Sequence, residues 1–174
     1  MALEPFATAQ QMADRSQGAI PTDHPFLATE LKAATRTIRN ACGWHIAKRE
    51  QLHYRKVRPF SESVWLPAMQ IQSIDSGTID GAIVAATTAG FDPEIGWTPF
   101  VGRDVDLTFT AGYAEVPEDL VTLTLELAAG ALGSPLGISR EQAGTVAVSY
   151  TRTSGELTAA DHDRLAAYKI GWRP

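Results

Sequence analysis

A chain of 174 residues with 44% apolar and 20% charged side chains has ordinary globular composition and is long enough to bury a core without staples, so a single domain over residues 1–174 is expected. Its net charge of −5 argues against a general nucleic-acid coat, which neutralises phosphates with clustered Lys and Arg. Cys42 is the only cysteine, which excludes a disulfide-built secreted scaffold.

Residues 1–22 read as an N-terminal arm with one short helix near Phe6–Asp14, ended by Gly18 and Pro21. Glu4, Asp14 and Arg15 interrupt any run that would make a secretory signal. A helix near residues 25–42 follows. Leu27, Leu31, Ala34, Ile38 and Ala41 fall on one face, Lys32, Arg36 and Arg39 lie elsewhere, and Gly43 stops it.

From residue 51 to 110 the pattern changes to short extended pieces, at Leu52–Tyr54, Val64–Leu66, Met69–Ile71, Ile79, Ile83–Ala86 and Val105–Phe109. Turns are expected at Arg58-Pro59, Asp75-Ser76-Gly77, Asp80-Gly81, Gly90–Pro93 and Gly102. The fold class is therefore α+β, a small helical core with a β-rich insertion between its first two helices. The segment Lys48–Arg58 is the one basic patch, with Lys48, Arg49, Arg55, Lys56 and Arg58 against Glu50. It reads as a solvated strand face or a surface for an acidic protein partner, with contact to passing DNA as the lesser alternative.

Val105, Leu107 and Phe109 alternate with polar residues and lead through Gly112 into a helix near 117–132, with Pro117 at its start and Glu118 and Asp119 in its first turn. Leu120, Leu123, Leu125 and Leu127 belong to an apolar surface wider than one core contact needs. This helix is thus either the central core helix or one shared with a neighbouring subunit, and its leucines are candidates for subunit packing. Gly130, Gly133, Pro135 and Gly137 break the apolar run Leu127–Ser139, which is too short to cross a membrane, so no membrane partner is expected. A strand near Ala143–Thr151 and a helix near 158–168, opened by Thr158 and Asp161, lead to a tail, 169–174. Tyr168, Ile170, Trp172 and Arg173 leave aromatic, apolar and cationic groups near a chain end, which makes them candidates for docking on a partner.

The four histidines lack metal-ligand spacings, and no phosphate-binding, dinucleotide-binding, nucleophile-elbow or zinc-protease motif occurs. No catalytic group, metal or cofactor is expected. Cys42 falls at a helix end, where the dipole disfavours a thiolate. It reads as a buried structural thiol, with a small thiol-dependent hydrolase as the alternative of another class.

Several segments resemble the head-to-tail adaptor (connector) proteins of long-tailed bacteriophages, especially those infecting actinobacteria. They are Ala33–Arg39 leading to Cys42-Gly43-Trp44-His45; Trp65-Leu66-Pro67 leading to Ile79-Asp80-Gly81; Thr108–Tyr113 with Val116–Leu120; and Ser134–Gly137 with Glu141–Gly144 and Val148-Ser149-Tyr150. The likeness spans about Phe26 to Tyr150. It implies a virion structural protein forming a ring, a dodecamer, under the portal of a DNA-filled head, part of the DNA channel. Its implied partners are further copies of itself, the portal protein and a stopper or tail-terminator protein, with the neck of the virion as its location after assembly in the host cytoplasm. A stopper or tail-terminator ring is the neighbouring alternative.

Overall fold

The computed structural model describes residues 4–133, 140–143, 146–149 and 156–171. The expected break at Ser134–Gly137, the end of the expected strand at Tyr150 and Thr151, and Trp172 and Arg173 lie outside them. The fold is α+β, as the residue pattern predicts. The chain forms two compact units, 1–41 with 117–167, and 42–116 with 168–174.

The first unit is helical. Helix α1 (Ala9–Arg15) starts with a capping box in which Gln11 N–H donates to Thr8 Oγ1 and the Gln11 side chain accepts from Thr8 N–H. The arm is anchored: Phe6, Ala7 and Met12 are buried. In α2 (Leu27–Cys42), Leu27, Leu31, Ala34 and Ile38 are buried at the predicted spacing, and Gly43 ends the helix at φ 81°. Helix α3 (Glu118–Gly133) buries Leu120, Leu123, Leu125, Leu127 and Ala128. The expected strand near 143–151 is a hairpin, β5 (Arg140–Ala143) with β6 (Val146–Ser149); these two strands are numbered after four in the second unit. The last helix is shorter than expected. Helix α4 covers Ala159–Arg164, capped by Thr158 and Asp161, and a 3-10 turn follows at Ala166–Tyr168.

The second unit is built on a four-stranded antiparallel sheet of β1 (Glu50–Trp65), β2 (Ile71–Ile79), β3 (Ala82–Val84) and β4 (Trp97–Ala111), in the order β1-β4-β2-β3. Two of these strands are far longer than expected. Arg58-Pro59 lies inside β1 and Asp75-Ser76-Gly77 inside β2; both sit at register shifts instead of turns, because pairing with β4 carries the chain straight through. Gly102 is likewise interior to β4. The Asp80-Gly81 turn does join β2 to β3, with Ile79 opposite Ala82. Period-two alternation sorts β4 by face. Val105, Leu107, Phe109 and Ala111 are fully buried with Ile71, Ile74 and Ile79 of β2, whereas Asp104, Asp106, Thr108 and Thr110 line the polar face.

Candidate functional site

The basic segment occupies β1 and the residues leading into it, and the structure divides its five cations. Arg58 is only 6% exposed. Its guanidinium donates to the carbonyls of Ser63 (2.9 Å) and Glu62 (3.3 Å) and lies 3.4 Å from Tyr54 Oη. Arg58 is therefore turned away from the exposed patch in which the sequence places it: its terminal nitrogens bond carbonyls of its own strand and reach Tyr54, and its Nε lies 3.8 Å from the Glu62 carboxylate. Arg55 is exposed but held by Asp106 at 2.6 Å and Asp104 at 3.6 Å, and His53 Nε2 lies 2.7 Å from the same Asp106. Hydrogen bonds from His53 and Arg55 keep the Asp106 carboxyl below the ordinary carboxylate range. Lys48, Arg49 and Lys56 are exposed, and Arg49 and Lys56 make no ion pair among the described residues. The patch is smaller than its sequence suggests.

What Arg58 does is shape β1. Val57 stands opposite Asp104 and Glu62 opposite Gly102, so Arg58, Pro59, Phe60 and Ser61 face Arg103 alone. The buried guanidinium staples this bulge from inside, and Arg103 Nε donates to the Arg58 carbonyl at 3.4 Å. A bulge re-aims side chains; here it leaves Phe60 62% exposed beside Val57. On the other side of β4 lies a groove of about 560 Å³, lined by Ile79, Ile83, Val84, Pro99, Phe100 and Val101, with Ile83 88% exposed at its lip. The sequence singles out neither feature, because neither Phe60 nor Ile83 carries a local signal beyond being apolar.

Two other stretches that carry the resemblance meet in space. His45 Nε2 donates to the Ala111 carbonyl at 3.0 Å, Tyr113 N–H donates to the Ile46 carbonyl at 2.9 Å, and the Trp44 and Tyr113 rings pack 6.2 Å apart. Gly112 is required between them: at φ 110° a Cβ there would stand 2.5 Å from His45 Nε2. The chain end closes the same clasp. Trp44 Nε1 donates to the Tyr168 carbonyl at 2.6 Å, Ile170 N–H to the Cys42 carbonyl at 3.3 Å, and the Tyr113 and Tyr168 rings meet edge-on. Tyr168 and Ile170 are half-buried, with these contacts made inside their own unit.

Cys42 is buried, and its burial pushes the thiol up to about 11, against the opposing charge of Lys169. A protonated, enclosed thiol is a poor nucleophile. The α3 leucines Leu120, Leu123, Leu125 and Leu127 are at most 5% exposed, so their side chains are already covered within a single copy of the chain. Glu126, on the same helix, instead joins Arg15 at 3.2 Å and Arg164 at 3.0 Å. Among the described residues no group of three or more His, Cys, Asp and Glu side chains is placed to hold a metal ion, and no helix is long and apolar enough to cross a membrane. No protein-family model matches this chain, and no curated protein matches it.

Proposed function

We propose that this chain is a structural virion protein of a tailed bacteriophage: an adaptor that forms a ring between the portal and the stopper or tail, with the DNA channel through its centre. The observation that carries the reading is the clasp. Cys42–His45 and Ala111–Tyr113, two of the segments that resemble the adaptor family, are held together by the His45–Ala111 bond across 66 residues of chain. In this fold those residues fix a sheet to the chain around it, which is the work of an assembly part. The sheet they hold presents an open edge and exposed apolar side chains, features of surfaces that meet other proteins. The enclosed, protonated Cys42 gives no support to thiol chemistry. The partners in this reading are further copies of the chain, the portal protein and a stopper or tail-terminator protein, at the head–tail junction. DNA passes the ring without sequence readout, consistent with the negative net charge.

The test is assembly without the protein. Particles made in its absence should accumulate as DNA-filled heads lacking tails, and adding the purified chain should restore joining through binding to the portal. Normal joining without it, or first attachment to the tail tube, would overturn the adaptor assignment.

A further inference from the structure

The sheet of the second unit has two unlike edges. Along β1 no strand pairs with the outer edge among the described residues; the strand carries Lys56 and the stapled bulge with Phe60, and Arg49 stands just before its first residue. On the opposite side β2 is covered, by β3 along one part and by the chain after β3 along the rest. Ile74 and Thr87 exchange backbone hydrogen bonds at 2.8 Å, and Ile71 N–H donates to the Pro93 carbonyl at 3.0 Å, so the chain after β3 runs along β2.

Charge divides the same way. Lys48–Arg58 holds five Lys and Arg, while residues 59–102 hold no Lys, Arg or His at all and carry Glu62, Asp75, Asp80, Asp92 and Glu94. All but Glu62 belong to β2, the β2–β3 turn or the covering segment. Beside the turn carboxylate of Asp80 opens the apolar groove of about 560 Å³, with Ile83 at its lip. One edge thus offers an aromatic knob on the strand that also carries the exposed Lys56. The other offers an apolar groove whose lining carries no charge and whose Ile79 is followed in the chain by Asp80.

We propose that the two edges are halves of one interface, in which the β1 edge of one copy, led by Phe60, seats in the Ile79–Val101 groove of a second copy. The contact is heterologous, a surface meeting a different surface on an identical chain, and such contacts propagate head to tail until a ring closes. Opposite charges set the direction, since β1 against β1 would bring Arg49 and Lys56 together. The interface also covers the exposed edge of a long strand, which otherwise templates non-specific pairing. Pro59 and the bulge limit that pairing by breaking the row of backbone donors at the place where Phe60 projects. This inference rests on the reading of the chain as a ring component and names its lateral surfaces.

Sedimentation of the purified full chain at low and high salt tests it without any portal. The native chain should form multimers whose association weakens as salt rises. Phe60→Ser and Ile83→Glu, both at exposed positions, should each weaken association about tenfold or more, with Lys56→Glu and Ile83→Ala as second variants and circular dichroism confirming that all remain folded. Mixing Phe60→Ser with Ile83→Glu is decisive. One variant keeps an intact groove and the other an intact knob, so the mixture should form a one-to-one dimer and stop there. A native chain that stays monomeric, variants that associate like it, or a mixture no larger than its separate components would overturn the proposal. So would a Lys56→Glu chain that loses affinity for duplex DNA while assembling normally. Failure of the phage assignment reads out differently, as multimers that assemble by these edges yet do not bind portal.

Discussion

The amide of Phe6 donates to Thr35 Oγ1 at 2.9 Å, and the same hydroxyl donates to the Leu31 carbonyl at 2.8 Å. One fully buried threonine on α2 thereby ties an N-terminal segment to a helix 29 residues further along. The Arg39 guanidinium lies over the Phe6 ring at 4.8 Å, which adds a cation–π contact. Thr35→Val keeps the shape but leaves the Phe6 N–H without its acceptor, so it should cost about 1–3 kcal/mol. Urea unfolding measures the cost, and faster exchange of the Phe6 amide locates it. Thr35→Ser, which keeps the hydroxyl, should fall well short of that loss.

Arg58 should behave unlike its neighbours. Arg58→Ala removes the donor to the Ser63 and Glu62 carbonyls and should destabilise the chain by about 1–3 kcal/mol, with increased exchange across the distal half of β1. Arg49→Ala and Lys56→Ala, on exposed side chains, should stay within about 0.5 kcal/mol. Equal effects at the three positions would contradict the staple.

That contrast shows where reading the residues stops. Pro117, Glu118, Asp119 and the stop at Gly43 act within a turn of chain, so both ends of the helical pattern are legible locally. In Lys48–Arg58 each cation looks alike. Which one turns inward depends on the carbonyls of Glu62 and Ser63 and the phenol of Tyr54, which converge only after β1 has bulged against β4. Pro59 and Asp75-Ser76-Gly77 carry genuine turn chemistry, but ladder bonds to a strand far along the chain outweigh it. Nothing near Glu126 in the sequence points to its ion pairs, because Arg15 and Arg164 are distant along the chain and meet it only in the folded unit.

Three carboxylates set the acid limb of stability. Hydrogen bonds from His53 and Arg55 lower Asp106, and the backbone N–H groups of Asp104 and Arg103 lower Asp80. At Asp75, burial raises the pKa, but bonds from Ser73, Gln51 and Thr110 outweigh it and the net shift is downward. A carboxyl lowered in the folded state contributes stability above its unfolded value of about 3.9, and that contribution is lost as pH falls through the folded value. The urea midpoint should therefore show no loss from these groups between neutrality and about pH 5, then fall below about pH 4. Asp106→Asn should flatten that fall; a curve parallel to the native one in acid would exclude Asp106 as a contributor.

On α3, adjacent positions should give opposite results. Leu127 is fully buried, so Leu127→Ala should cost about 2–5 kcal/mol through lost burial and a cavity, and Leu127→Asp more. Glu126→Gln loses its ion pairs to Arg15 and Arg164, but these side chains are 31–49% exposed and such pairs contribute little in water. A cost under about 1 kcal/mol, shrinking with added salt, is expected from thermal unfolding.

The C-terminal clasp gives the last prediction. A free docking tail would be removable without consequence for the fold. The Tyr168 carbonyl instead accepts from Trp44 Nε1, its ring packs edge-on against Tyr113, and Ile170 N–H bonds the Cys42 carbonyl. Truncation after Ala167 leaves the buried Trp44 N–H without its acceptor and uncovers one face of Tyr113. It should cost about 1–3 kcal/mol and shift tryptophan emission to the red as water reaches Trp44. Trp44→Phe separates the two contributions: it keeps an aromatic ring beside Tyr113 but deletes the donor, so it should lose less than the truncation does. If the truncated chain matches native stability and emission, the segment from Tyr168 onward is not held by its own unit and becomes available to a partner.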